Sequence, residues 1–106
     1  KAPDGRRLAG IDVEKAGELV LHALAGWDAG VLDEALYFYG PNGRELLREK
    51  YAGAVPTSIG KAVQSGEYPG RFIPCKLLLR NGKTQKLMLA LRNDTPNGGW
   101  VVDGGL

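Results

Sequence analysis

The chain has 106 residues, 25% of them charged and 43% hydrophobic, with a formal net charge of +2. Those figures describe one soluble globular domain rather than a disordered chain, and no apolar run approaches the roughly 20 residues that span a bilayer. A single cysteine and a single histidine exclude an internal disulfide framework and a recognisable zinc set, so neither a metal nor a cofactor is expected.

The chain opens Lys-Ala-Pro-Asp-Gly with no methionine. A processed or trimmed product is therefore expected, its signal peptide, if it had one, already removed. Residues 1–11 read as an extended or poorly ordered lead-in to a single domain. Cys75 alone leaves the compartment open. A buried thiol is harmless in an oxidising or a reducing compartment, and the expectation leans to a bacterial periplasm or cell envelope over the cytoplasm.

The first periodic segment runs from Asp12 to about Ala25. Val13, Ala16, Val20, Ala23, Leu24 and Trp27 step by three or four, which places them on one helical face. Asp12 is positioned to cap the start, Glu14 sits at the positive end of the helix dipole, and Gly26 reads as the stop. Lys15, Glu18 and His22 fall on the opposite flank. A second helix is expected from Asp28 through Val31, Leu32, Ala35, Leu36 and Tyr39, ended by Gly40-Pro41. A third begins at Asn42, where Asn42 and Glu45 have capping-box spacing, and buries Leu46, Leu47 and Tyr51. Pro56-Thr57 opens a fourth, shorter helix through Ile59, Ala62 and Val63, closed by Ser65-Gly66.

From Gly70 the pattern becomes that of strands: Arg71 to Arg80, Lys83 to Arg92, and Trp100 to Asp103. Asn81-Gly82 is a strong two-residue hairpin signal, because a type I′ turn needs positive φ at both positions. A two-residue turn would set Leu79 opposite Thr84, Leu77 opposite Lys86, Cys75 opposite Met88 and Ile73 opposite Ala90. The other face would hold Phe72 with Leu91, Pro74 with Leu89, Lys76 with Leu87, and Leu78 with Gln85. Both faces would then carry large apolar groups. Either the helix layer and loops cover both sides of a curved sheet, or a second protomer covers one of them through Ile73, Cys75, Leu77 and Met88. The expected class is α+β, with N-terminal helices packed on a curved antiparallel sheet of three or more strands.

The segment from Ala23 to Gly30, the helix from Leu32 to Tyr39 and the closing Trp100-Val101-Val102-Asp103 strand resemble the nuclear transport factor 2-like superfamily, also called cystatin-like. The resemblance runs from Asp12 to Leu106. It implies a cone-shaped cavity between sheet and helices, for which Trp27, Tyr37, Tyr39, Tyr51, Phe72 and Trp100 are the candidate lining. Members include ketosteroid isomerases, scytalone dehydratases, polyketide cyclases and epoxide hydrolases, and also non-catalytic accessory or envelope domains, often dimeric through the sheet. This chain is short for the family, which points to a smaller cavity or none.

Catalytic members place a carboxylate, a tyrosine or a histidine in the cavity. His22, Asp103, Tyr37, Tyr39 and Glu34 are the candidates, and none matches a family catalytic motif residue by residue. His22 is more simply an exposed partner of Glu18 one turn away. Asp103, before two glycines, is more simply a turn residue bonding its own backbone. Cys75 lies in an apolar strand with no partner that would make it a nucleophile. Gly40-Pro41-Asn42-Gly43 lacks the lysine of a phosphate-binding loop.

Charge is uneven. Residues 1–53 carry seven basic and nine acidic groups, and residues 54–106 carry seven and three. Between Arg71 and Arg92 stand Arg71, Lys76, Arg80, Lys83, Lys86 and Arg92 with no acid. They form either an anion-binding surface or protective charges that discourage edge-to-edge pairing. Phe72 is the one aromatic among them, too few for stacking on single-stranded nucleic acid, so nucleic acid is not the expected partner. The favoured reading is a non-enzymatic domain that binds a small apolar molecule or a protein. A cavity enzyme of isomerase, dehydratase or cyclase type is the alternative, and an anion- or nucleic-acid-binding hairpin comes third.

Overall fold

The computed structural model describes residues 8–36 and 39–106. Among them the order is α1 (Val13–Gly26), α2 (Ala29–Ala35), α3 (Pro41–Tyr51), β1 (Val55–Ile59), β2 (Arg71–Leu78), β3 (Thr84–Arg92) and β4 (Val101–Gly104). The strands form one open antiparallel sheet in the order β1-β2-β3-β4, and the helices pack on one of its faces. The α+β class expected from the chain is therefore the observed one, with four strands.

The helix ends differ from expectation in instructive ways. Asp12 precedes α1 in extended conformation, but its carboxylate makes no cap bond. Gly26 is the last helical residue rather than the stop. Trp27 follows in left-handed conformation at φ 48°, and the Asp28 N–H donates to the Ala23 carbonyl at 2.8 Å. Indole packing against the core and the Arg48 guanidinium 6.0 Å from the ring centroid offset that unusual backbone. Asp28 does cap α2, accepting from the N–H groups of Gly30 at 3.1 Å and Val31 at 3.4 Å. α2 stops at Ala35, short of Tyr39. α3 begins at Pro41 with Gly40 as its cap residue, not at Asn42, because proline at the first helical position gives up no needed N–H.

The expected fourth helix is not formed. Val55–Ile59 is a strand, paired with β2 through Val55↔Leu78, Pro56↔Leu77, Ser58↔Lys76 and Ile59↔Cys75, with a bulge between Pro56 and Ser58. Val55, Thr57 and Ile59 are β-branched, and Pro56 is tolerated because β1 lies at the sheet edge. The chain then continues beside β2. The Gly60 N–H donates to the Pro74 carbonyl at 2.7 Å, and Val63 and Phe72 exchange bonds of 2.8 and 2.9 Å.

The hairpin turn also differs. The Leu79 N–H donates to the Lys83 carbonyl at 2.8 Å, and the Gly82 N–H donates to the Leu79 carbonyl at 2.9 Å. Only Gly82 of the loop has positive φ, at 84°. This is a three-residue loop, a turn over Arg80-Asn81 followed by a left-handed glycine. Asn81 Oδ1 accepts from the Lys83 N–H at 2.9 Å instead of adopting left-handed backbone. The extra loop residue slips the register by one: Cys75 faces Leu87 rather than Met88, and Ile73 faces Leu89 rather than Ala90.

That slip sorts the side chains. Ile73, Cys75 and Leu77 now share a face with Leu87, Leu89 and Leu91, and all six are buried under the helices. The outer face receives Phe72, Pro74, Lys76, Leu78, Thr84, Lys86, Met88 and Ala90. Burying a leucine contributes about 2 kcal/mol, whereas the choice of turn changes about 1 kcal/mol, so the core decides the register. The space between helices and sheet is filled by Ala16, Val20, Leu21, Leu24, Leu32, Leu36, Leu47 and Tyr51 with their sheet partners, and no polar or charged residue is buried among the described residues.

Leu8 is fully buried, Ala9 bridges to Gly99, and the Trp100 N–H donates to the Leu8 carbonyl at 3.2 Å. Residues 8–11 are thus fastened to the sheet rather than forming a loose lead-in; residues 1–7 lie outside the described residues.

Two glycines test this arrangement. Gly82→Ala is expected to lower stability by about 1 kcal/mol, through its positive φ alone, since open space surrounds it. At Gly70 a Cβ would overlap the Leu91 carbonyl oxygen, so Gly70→Ala is expected to cost roughly 3 kcal/mol. Urea unfolding midpoints check both.

Candidate functional site

The outer face of the sheet is built in rows set by the observed register. At one end Val55, Leu78 and Thr84 stand together. Next come Ser58, Lys76 and Lys86, then Gly60, Pro74 and Met88, then Phe72 with Ala90. Val55, Leu78 and Met88 are exposed. Around the second and third rows lies an open groove of about 520 Å³, lined by Ser58, Ile59, Pro74, Lys76, Lys86 and Met88, with parts of Gly60, Cys75 and Leu87 at its floor.

Lys76 and Lys86 are direct cross-strand partners, and both side chains are exposed. No carboxylate lies within ion-pair distance of either among the described residues. Like charges directly opposite each other on an antiparallel pair are unfavourable. The arginines of the hairpin have structural employment. Arg80 donates to the Glu49 carbonyl at the end of α3, where a cation is favourable. Arg71 donates to the Gly70 carbonyl at 2.9 Å. Lys83, by contrast, engages the turn through its backbone alone, and its side chain is exposed. Arg92 pairs with Asp94 and, at 3.3 Å, with Asp103. Of the six expected anion-binding residues, the structure brings Lys76 and Lys86 together beside an apolar groove.

At the far end of the same face a polar cluster closes the sheet. Asp103 is the extra residue of a bulge, since Leu91 pairs with Val102 while Ala90 pairs with Gly104. The bulge aims its carboxylate across β3, where it accepts from the Tyr68 hydroxyl at 3.0 Å and from Arg92. It does not act as a turn residue bonding its own backbone. Tyr68 also packs on Phe72, ring centroids 4.8 Å apart. Burial and then the bond to Asp103 push the Tyr68 hydroxyl up to about 12. Asp94 is held below the usual carboxylate range by Arg92, and Arg92 is pushed up in return.

The expected catalytic residues do not converge. His22 is exposed on α1, beside a smaller hollow of about 210 Å³ shared with Glu18 and residues of β1. Glu18 pairs with Lys15 at 3.9 Å rather than with His22. Asp103 sits on β4, at the opposite edge of the sheet from β1. Tyr39 packs against the core, and burial raises its pKa. Tyr37 lies outside the described residues.

The expected cavity-lining set is likewise dispersed. Tyr51 is fully buried in the core. Trp100 is anchored by its indole N–H to the Ile11 carbonyl at 2.9 Å. Trp27 caps α1, and Phe72 is on the outer face. Of the expected interface residues, Ile73, Cys75 and Leu77 are buried under the helices, and Met88 alone is exposed. The expected helix over residues 56–66 hides Ser58 and Ile59, and the expected register hides Pro74 by pairing it with Leu89 instead of Met88. The β-branched alternation of Val55, Thr57 and Ile59 is the signal that would have found the first two.

No protein-family model, curated protein or solved structure matches the chain.

Two measurements follow from this geometry. Lys86→Glu turns the facing lysines into an opposite-charge pair and is expected to raise stability by about 0.5 kcal/mol at low salt, the gain shrinking as salt rises. Urea midpoints at two salt concentrations check it. For Tyr68 the folded state keeps a proton that the unfolded chain loses near pH 10. Its contribution to stability is therefore complete below pH 10 and is lost as the pH climbs toward about 12. Asp103→Asn removes the neighbouring anion, so NMR titration of the tyrosine rings is expected to show Tyr68 ionising at lower pH.

Proposed function

We propose that the domain is a non-enzymatic binding module of nuclear transport factor 2-like architecture, which takes a small apolar molecule or a protein partner on the outer face of its sheet. One observation carries this reading: the apolar groove opens on the side away from the helices, while the helix-facing side is packed with aliphatic side chains. An enzyme of isomerase, dehydratase or cyclase type needs a desolvated acid or base facing its substrate. Water around His22 and the Arg92 guanidinium beside Asp103 argue against either in that role.

A bacterial envelope location belongs to the same proposal. The buried Cys75 thiol, its pKa raised by burial, suits an oxidising compartment as well as a reducing one.

Nile red, a neutral apolar dye, tests the groove. The folded protein is expected to enhance its fluorescence, and Met88→Asp, an exposed substitution, is expected to weaken binding about tenfold while leaving the circular dichroism spectrum unchanged. No enhancement with the native chain would overturn the proposal. A second copy of the chain is one such protein partner, and sedimentation equilibrium with the same variant identifies it by dissociation.

A further inference from the structure

The binding reading leaves the occupant unnamed, and the facing lysines supply its chemistry. Lys76 and Lys86 stand opposite each other across β2 and β3, unopposed by acid among the described residues, at one side of a groove whose apolar walls on the outer face are Pro74 and Met88. A native sequence pays for two like charges in register unless an anion sits between them. A volume of about 520 Å³ is within the range of small-molecule sites, which combine apolar walls with a few convergent polar groups.

The backbone around the groove narrows the choice further. An extended peptide binding by strand addition needs a free row of N–H and C=O groups. The neighbouring edge of β2 has none to offer there: Ser58 and Ile59 pair with Lys76 and Cys75, Gly60 donates to Pro74, and Val63 and Phe72 bond each other. β1 itself is short, bulged and carries Pro56. Side chains, rather than main chain, must hold whatever binds.

Resting on the binding reading above, we infer that the groove takes an amphiphilic monocarboxylate: an aliphatic chain lies along Pro74 and Met88, and the carboxylate sits between the two ammonium groups, one oxygen toward each. Ser58, on the same row as the lysines, adds a hydroxyl donor at that end.

Octanoate, octanol and octylamine, which share one chain and differ in head group, make the test. They are titrated into the native chain and followed by amide chemical shifts. Octanoate is expected to bind about tenfold more tightly than octanol, shifting residues 58–60, 74–76 and 86–88, and octylamine is expected to bind more weakly than either. The double variant Lys76→Gln, Lys86→Gln is expected to lose the preference for octanoate while keeping its affinity for octanol, and the double arginine variant is expected to retain the preference. Equal binding of octanoate and octanol, with both in the groove, would overturn the carboxylate assignment and leave the apolar binding face standing. Absence of binding by all three would overturn both, as would shifts confined to another surface.

Discussion

Segregation of the aliphatic side chains of β2 and β3 to one face decides which residues of the sheet meet the helices, and two hydrogen bonds that close the Arg80–Gly82 loop hold the register it selects. With Leu79 bonded to Lys83 and Gly82 turned back onto Leu79, odd-numbered residues of β2 stand beside odd-numbered residues of β3. Ile73, Cys75, Leu77, Leu87, Leu89 and Leu91 then form one aliphatic surface, and α1 lays Ala16, Val20 and Leu24 on it. A shift by one residue would carry the three leucines of β3 to the solvent side, at a cost of several kcal/mol. Gly82, at φ 84°, accommodates the three-residue loop that this pairing requires.

The outer face inherits what the core rejects, and it is ordered rather than random. One end is fastened by Tyr68, Arg92, Asp94 and Asp103, where one guanidinium faces two carboxylates and the Tyr68 hydroxyl donates to Asp103. The middle is apolar and open. The two facing lysines stand beyond it, one row short of the end formed by Val55, Leu78 and Thr84. Net charge conceals this arrangement, because the arginines of the second half are engaged in capping or pairing while Lys76 and Lys86 face the open groove.

Much of the architecture was legible in the chain. The apolar periodicity of α1, the Asp28 cap and the strand character after Gly70 are local signals; the first and third reflect burial on one face of an element, and the cap reflects the unpaired N–H groups of a helix start. The misread parts are those where local and tertiary preferences compete. Pro56-Thr57 has the form of a helix start, but pairing with β2 outweighs it. Asn81-Gly82 favours a two-residue turn, but segregation of the leucines outweighs it. The groove depended on both of these, which is why Ser58, Ile59 and Pro74 were invisible while Met88, Lys76 and Lys86 were already candidates. The role of Asp103 was hidden for another reason: a bulge is a property of two strands together and has no signature in one.

The fastening of Leu8 and Ala9 to Gly99 and Trp100, with the Trp100 indole bonded to the Ile11 carbonyl, has a consequence for the order of assembly. α1 is synthesised before the groups that hold its entry, which follow about ninety residues later. Until Trp100 is available, the apolar stripe of α1 has neither its sheet nor its anchor. The domain is consequently a late folder during synthesis, dependent on contacts remote in sequence, and its nascent chain must keep that stripe from other hydrophobic surfaces until the last strand arrives.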